Sequence, residues 1–349
     1  MTAGSESEAR QVASHSVVGS TGDAKPDAAL LLEARGISKS FWGRGAWLMR
    51  GKENRALDEV SITLRQGEIL GLVGESGCGK STLAKVLLGL EQADAGSLTL
   101  DGRQIFAPGA RPVPAARRGI QMVFQDPFGS LNPRMAVRDL VGEGLRIEGK
   151  LSKSQITDEV RRHLALVGLG DDALTKYAHQ FSGGQRQRLC VARAIVLQPR
   201  LLIADEAVSA LDVSVQMQIL NLLLDLRERL GLSLIFISHD MGVIEYLCDR
   251  ISVMYGGRIV EEGMTARLLA EPRHPYTAHL IASRPRIGGS SRAGTSLGVD
   301  EPAAYVPVAP GTACVYSRRC PHADATCKSI PPELDRDGPT AIACHHPLT

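Results

Sequence analysis

An α/β fold with added antiparallel and helical parts is predicted by three observations. The first is Gly74-Glu75-Ser76-Gly77-Cys78-Gly79-Lys80-Ser81, which matches the phosphate-binding pattern Gly-x-x-x-x-Gly-Lys-Ser/Thr. An apolar run, Ile69-Leu70-Gly71-Leu72-Val73, precedes it and a helical stretch from Thr82 follows it. The second is a pair of short apolar runs, Leu201–Ala204 and Leu234–Ile237, suited to a parallel sheet buried on both faces. The third is the alternation from Leu31 to Arg65, which reads as antiparallel strands interrupted by a polar insertion from Gly43 to Arg55.

The remaining elements follow in order. Leu98-Thr99-Leu100 and Ile120–Phe124 read as further strands. From Val137 to Val196 the period becomes helical, with turn clusters between segments. A helix from Ser214 to Leu230 separates the two buried runs. Ile251–Met254 and Arg258–Val260 flank Gly256-Gly257 as a hairpin. Gly288–Gly298 is a Gly/Ser/Arg linker, and a Cys- and Pro-rich stretch follows.

Composition limits the function. The 349 residues suffice for a full core and two or three sub-structures. A hydrophobic share of 44% with 22% charged residues is that of an ordinary globular chain. A net charge of +2 makes no global case for nucleic-acid binding. No apolar run approaches the length of a membrane span. Residues 1–28 hold no apolar segment resembling a secretory signal and read as a disordered tail. A cytosolic protein is expected, with any membrane role exercised through a partner. Seven cysteines in such a protein argue against a disulfide framework.

The site chemistry starts at the phosphate loop. Its glycines let backbone N–H groups turn around phosphate oxygens, and the helix start adds a positive dipole end. Gly74, Glu75, Ser76, Gly77, Cys78, Gly79, Lys80, Ser81 and Thr82 are therefore candidate nucleotide contacts. Lys80 is suited to the outer phosphates and the Ser81 hydroxyl to Mg²⁺. The run ending in Asp205-Glu206 puts two acids at the sheet's C-terminal edge, where open α/β sheets bind ligands. Asp205 is the candidate Mg²⁺ ligand and Glu206 the group that polarises an attacking water. Phe181-Ser182-Gly183-Gly184-Gln185 precedes a helix. Ser182 is a good N-cap, and the glycines leave room for a phosphate. Taken singly, a strand ending in acids or a Ser-Gly-Gly turn is more often structural.

Together these residues resemble the ATP-binding cassette (ABC) ATPase family, over roughly residues 30–285. Ser182-Gly183-Gly184-Gln185 is similar to the family's signature loop, with Phe181 where Leu is usual. Gln125 resembles the Q-loop glutamine, which senses Mg²⁺ and the permease. Ser209-Ala210-Leu211-Asp212 resembles the D-loop, and His239 the switch histidine that contacts the γ-phosphate. Phe41 is the candidate for stacking on adenine, with Trp42 second. Ala207-Val208 departs from the family's usual Pro-Thr. The resemblance implies a P-loop NTPase core, an antiparallel β subdomain and an α-helical subdomain at about 128–192. The ATPase domain is expected over 29–285, with a linker at 286–310 and a small Cys-rich module at 311–349. It further implies a composite site, in which the phosphate loop of one subunit faces the signature loop of another across ATP.

The C-terminal part narrows the class. His274-Pro275-Tyr276-Thr277, the segment Phe124–Pro133, and Cys314-x5-Cys320-Pro321-x6-Cys327-x16-Cys344 resemble the oligopeptide/dipeptide importer ATPases. The resemblance implies a [4Fe–4S] cluster on Cys314, Cys320, Cys327 and Cys344, with Zn²⁺ as the alternative and His322, His345 and His346 as further candidate ligands. Unligated thiols in a loose tail are the bland alternative. Cys78 is read as a bystander, and Cys190 and Cys248 as small core residues. The module's distance along the chain argues against a place in the catalytic site.

The expected activity is ATP hydrolysis energising import of peptides or related solutes. Expected partners are two transmembrane permease subunits, a second ABC ATPase (heterodimer or homodimer) and an extracytoplasmic solute-binding protein, with no nucleic acid. Helices of the Asp139–Gln180 region are expected to meet the permease at the cytoplasmic face of the membrane. The competing readings are a soluble ABC ATPase acting on nucleic acid or ribosomes, an importer of nickel chelate or glutathione, and an ATPase gated by the cysteines as a redox or iron sensor.

Overall fold

The computed structural model describes residues 28–42, 53–107, 118–283, 311–336 and 340–349. The expected tail, apart from residue 28, most of the polar insertion and the 286–310 linker lie outside the described residues.

The chain opens with two long antiparallel strands, β1 (Leu30–Trp42) and β2 (Glu53–Arg65), paired from Leu30–Arg65 to Trp42–Glu53. β4 (Ala95–Leu100) and β5 (Arg103–Phe106) extend them into a sheet of order β2-β1-β4-β5. Between these pairs lie β3 (Ile69–Val73) and α1 (Lys80–Leu88). β6 (Ile120–Val123) leads into the predicted helical region: α2 (Pro127–Ser130), α3 (Val137–Val141), α4 (Glu143–Glu148), α5 (Lys153–Leu166) and α6 (Gly183–Ile195). Then come β7 (Leu201–Asp205), α7 (Val213–Leu230), β8 (Ser233–Ile237), α8 (Met241–Leu247), β9 (Arg250–Tyr255) and β10 (Arg258–Met264). α9 (Thr265–Ala270), α10 (Pro275–Ala282), α11 (Ala325–Ser329) and β11 (Ala341–Ile342) complete the described elements.

A second sheet runs β11-β10-β9-β3-β8-β7-β6. β6, β7, β8, β3 and β9 are mutually parallel, while β10 and β11 run antiparallel. Every residue of β3, β7 and β8 is buried. This explains why those strands are continuously apolar rather than alternating. The two-residue strand period then splits them between two cores. Leu70, Leu72, Ile203, Ile235 and Ile237 pack with α1 and the four-stranded sheet. Ile69, Val73, Leu202, Leu234 and Phe236 pack with the helical region.

Capping fixes the helix starts that matter for the site. The Ser182 hydroxyl accepts from the Gln185 amide, and the Gln185 side chain accepts from the Ser182 amide. The Asp212 carboxylate accepts from the Val215 amide at the start of α7. Such caps contribute about 1 kcal/mol each.

The C-terminal cysteines do not build a core of their own. Cys314, Tyr316 and Cys327 belong to the same buried cluster as the helical face of the large sheet. β11 adds to that sheet through Glu261–Ile342 and Glu262–Ala341 pairing. Two residues carry no readable periodicity, so nothing in the sequence announces this strand. Among the described residues, no helix is long and apolar enough to cross a membrane.

Candidate nucleotide site

β3 delivers the chain to the phosphate loop, and α1 begins at Lys80. Gly79 has φ 112°, and a Cβ there would lie 2.4 Å from the Ala56 carbonyl oxygen. Only glycine satisfies both the left-handed backbone and the close approach of β2. The Lys80 ammonium is folded onto the loop, donating to the carbonyls of Gly74 at 2.6 Å and Glu75 at 2.9 Å. The hairpin turn between β9 and β10 braces the loop from below. The Gly257 amide donates to the Cys78 carbonyl, and the Asp58 amide to the Gly257 carbonyl.

A pocket opens over this loop, lined among others by Phe41, Ser76, Lys80, Ser81, Gln125 and Glu206. Phe41 is 37% exposed and Trp42, at 57%, does not line it. Asn54, Arg55 and Ala56 at the start of β2 also line it and went unread in the sequence, because the first two fall within the polar insertion and the third borders it.

β7 and β8 carry the acids and the histidine to one rim. Gln125 donates from Nε2 to Glu206 Oε2 at 2.8 Å, and His239 Nδ1 lies 3.2 Å from Glu206 Oε1. Three residues from three different strand ends thus meet on one carboxylate. Glu206 holds φ 46°, a left-handed conformation rare for a non-glycine residue. Behind it, Asp205 is buried and hydrogen-bonded by the Ser81 side chain. Burial first, and the neighbouring Glu206 charge next, push the Asp205 carboxyl up, against the pull of Ser81 and Lys80.

Ser182, Gly183, Gly184, Gln185 and Asp212 do not line this pocket. The Val215 amide and then the Ser214 hydroxyl hold the Asp212 carboxyl below the usual range. Gly184 faces α7 closely, since a Cβ there would lie 2.4 Å from Val215 Cγ1, whereas Gly183 has room, with Leu211 Cδ2 at 3.7 Å. Phe181, Ala207 and Val208, the departures from the family pattern, are all buried.

Cys78 is buried inside the loop, and burial pushes its thiol up. Cys190 and Cys248 are buried as expected. All four C-terminal cysteines are free, Cys314 and Cys327 buried and Cys320 and Cys344 half-buried. Burial pushes Cys344 up to about 11. His345 Nε2 lies 2.9 Å from the Ile330 carbonyl, and His346 Nε2 lies 3.0 Å from Asp324 Oδ2.

The structure corrects one expectation. The cysteine segment is not remote from the nucleotide site. Arg319 Nη1 donates to Glu75 Oε2 at 2.7 Å, within the phosphate loop itself. The Glu75 amide donates to the Tyr276 hydroxyl at 2.9 Å. Tyr255, Tyr276 and Tyr316 cluster behind these contacts in tilted and edge-on packing, with ring centroids 4.6 to 5.4 Å apart. The dipeptide Arg319-Cys320 sat in the sequence, but only the fold shows what the arginine faces.

The chain matches two family models: the ABC transporter model over residues 57–209, and the oligopeptide/dipeptide transporter C-terminal region over 260–327. A putative peptide import ATP-binding protein of Brucella ovis is 44% identical over 87% of this chain and 93% of its own length. The dipeptide transport ATP-binding protein DppF of Escherichia coli (strain K12) is 41% identical over 90% of this chain and 93% of its own. Among solved structures, CbiO1 of Clostridium perfringens, part of the CbiONQ ABC transporter complex, is similar with a TM-score of 0.60 and 26% identity. That match covers 72% of this chain and 99% of CbiO1. A dimeric ATP-binding cassette bound to ADP and phosphate in a post-hydrolysis state gives a TM-score of 0.58 at 25% identity. It covers 67% of this chain and 99% of that one.

Proposed function

The chain belongs to the ABC transporter ATPase family, and from that membership we propose that it is the ATP-hydrolysing subunit of a peptide importer. The observation that carries the catalytic part is the Glu206 carboxylate, held between Gln125 and His239 at the mouth of the phosphate-loop pocket.

ATP is the substrate. Lys80 and the loop amides hold its phosphates, and Phe41 supplies a ring for the base. Mg²⁺ fits the residues present: Asp205 Oδ1 is buried with no hydrogen-bond partner, beside the Ser81 hydroxyl. Ser81, Asp205 and Gln125 would hold it, and when bound it neutralises phosphate charge. Glu206 orients the attacking water. Gln125 and His239 fix the rotamer of that carboxylate, and His239 is exposed enough to turn toward the terminal phosphate. Ser182, Gly183, Gly184, Gln185 and Asp212 serve the pocket of a second ATPase subunit, packed head to tail. That subunit is a distinct chain in a heterodimer, with a homodimer as the other arrangement.

The assembly sits on the cytoplasmic face of the membrane, on two permease subunits. The helices α3–α5 and the following loop to Gln180 form the docking groove, and a solute-binding protein delivers the cargo. Cys314, Cys320, Cys327 and Cys344 hold a [4Fe–4S] cluster, with Zn²⁺ as the runner-up. One Zn²⁺ would draw four sulfurs to about 3.8 Å of each other. Among the described residues, no three of these sulfurs lie within 4.8 Å of one another. Among the described residues, the group of three ligand atoms that lie within 4.8 Å of one another is Asp324, Cys327 and His346, so His346 joins the candidate ligands.

Reconstitution with the permeases, the partner ATPase and the binding protein tests the function. ATP turnover should rise with peptide-loaded binding protein, and labelled peptide should enter the vesicle. Stimulation by nickel chelate or glutathione instead would reassign the cargo, and stimulation only by nucleic acid or ribosomes would overturn import. Iron, sulfide and zinc analysis of anaerobically purified protein decides the metal.

A further inference from the structure

The phosphate loop contains one acidic side chain, Glu75, between Gly74 and Ser76. A carboxylate there is a liability, because the loop's task is to receive the negative phosphates of ATP. Like charges repel, and more strongly where water is excluded. The fold disposes of that charge from the far end of the chain. Arg319 Nη1 pairs with Glu75 Oε2 at 2.7 Å, and the arginine side chain is only 13% exposed. Its guanidinium lies 6.0 Å from the centroid of the Tyr255 ring, and Nη1 is 3.5 Å from the Tyr255 hydroxyl. The Glu75 backbone is held as well. Its amide donates to Tyr276, whose side chain is fully buried, and its carbonyl accepts from Cys78 N and Lys80 Nζ.

We propose that Arg319 is a positioning residue for ATP binding. It neutralises Glu75 and, with Tyr276, fixes the entry of the phosphate loop, so that the C-terminal cysteine segment sets nucleotide affinity. The coupling is direct in the chain. Arg319 and Cys320 both donate backbone N–H groups to the Tyr316 carbonyl, forming one turn. Tyr316 packs edge-on against Tyr255, the residue behind Arg319. Whatever orders Cys320 therefore orders Arg319. This inference rests on the ATPase reading of the pocket but not on peptide as cargo, nor on which metal the cysteines hold.

The test uses the full-length chain in its complex, comparing Arg319→Ala, Arg319→Lys, Glu75→Gln and Glu75→Gln/Arg319→Ala. Basal ATPase gives KM and kcat, and equilibrium binding of a fluorescent ATP analogue gives affinity. Arg319→Ala should raise KM for ATP roughly five- to tenfold with kcat near wild type, because an unpaired carboxylate is left in the loop. Arg319→Lys should restore most of the affinity, since it retains the charge. In the Glu75→Gln background the Arg319→Ala effect should shrink to less than twofold, the non-additivity expected of a paired interaction. An unchanged KM in Arg319→Ala, or an equal loss in both backgrounds, would overturn the proposal and leave Arg319 a packing residue. If Arg319→Ala fails to assemble, the uncharged Arg319→Gln, alone and with Glu75→Gln, takes its place: the proposal requires KM to rise with Glu75 present and not in the Glu75→Gln background, and any other pattern overturns it. A complex that hydrolyses ATP normally yet imports no peptide would refute the cargo and leave this inference standing.

Discussion

Glu206 lines the pocket, Glu75 stands in the phosphate loop beside it, and the two are treated in opposite ways. Glu206 stands on a strand end with its carboxylate shared between an amide and an imidazole, neither of them a fixed cation. Glu75 stands inside the phosphate loop with its carboxylate on a guanidinium and its amide on a buried tyrosine. On the proposed mechanism, the first arrangement keeps a negative charge available to polarise water. The second removes one from the path of the phosphates. The two carboxylates thus differ in their partners: neutral donors for one, a guanidinium for the other.

The largest expected effect breaks the comparison at its catalytic half. Glu206→Gln keeps the shape and the contact to His239 but loses the charge. Turnover of the reconstituted complex should fall by about 10²–10⁴-fold while MgATP binding persists, since no binding group is removed. ATP-closed assemblies should accumulate and be visible by sedimentation. Turnover at the wild-type rate would mean that the two glutamates do not differ in the way described.

The composite site is probed next. Gly183→Asp places a carboxylate at the start of α6, where this chain has room for it, and there it would oppose the partner subunit's ATP. Isolated subunits should bind nucleotide normally and fail to close, with turnover reduced on the order of 10²-fold. Gly184→Asp is the poorer probe, because its side chain would collide with Val215 within its own chain. A matching loss of affinity in isolated Gly183→Asp subunits would argue that the signature loop serves its own pocket.

The halves of the comparison also differ in how legible they were. Lys80 and Ser81 could be read from the glycine pattern after one apolar run, and Asp205 and Glu206 from their place at the end of another, where buried parallel strands present their ligands. Gln125 and His239 became readable through register with those residues and the family resemblance. The Glu75 contacts were hidden, because Tyr276 and Arg319 lie 201 and 244 residues away in sequence. No local pattern marks an arginine that works across such a distance. The same limit concealed β11 and the burial of Cys314 and Cys327 in the main core, where a separate module had been expected. The helical region was legible as helical but not in its pieces, since α2–α4 are too short to develop a clear period.

A smaller effect sharpens the Glu75 half. Tyr276→Phe keeps the ring in the aromatic cluster and removes the acceptor for the Glu75 amide. Losing that partner should cost about 1–3 kcal/mol of stability. It should also raise KM for ATP modestly, by less than Arg319→Ala. Thermal unfolding and ATPase kinetics on the same preparations separate the two. A stability loss with unchanged KM would confine the loop's control to Arg319.

The smallest expected effect concerns His274, the N-cap of α10, which sits behind Tyr276. Its Nδ1 accepts from the Tyr276 amide, so Nε2 carries the proton, and that atom is buried without a partner. Burial pulls its pKa down to about 4 from the ordinary 6.5. The folded protein therefore keeps the imidazole neutral through a range in which the unfolded chain protonates it. Between pH 6.5 and 4 the unfolded state binds more protons, so stability falls as pH is lowered through that window. The contribution is complete above 6.5 and levels off below 4. Its slope reaches at most about 1.4 kcal/mol per pH unit. Glu261 works in the opposite sense. Burial pushes its carboxyl up, so the folded state takes up protons first and recovers part of the loss. His274→Asn retains a capping acceptor and cannot titrate. The melting temperature of the wild type should therefore drop faster than that of the variant between pH 7 and 5. Parallel melting curves over that range would show that His274 does not hold the C-terminal contact in a pH-sensitive state.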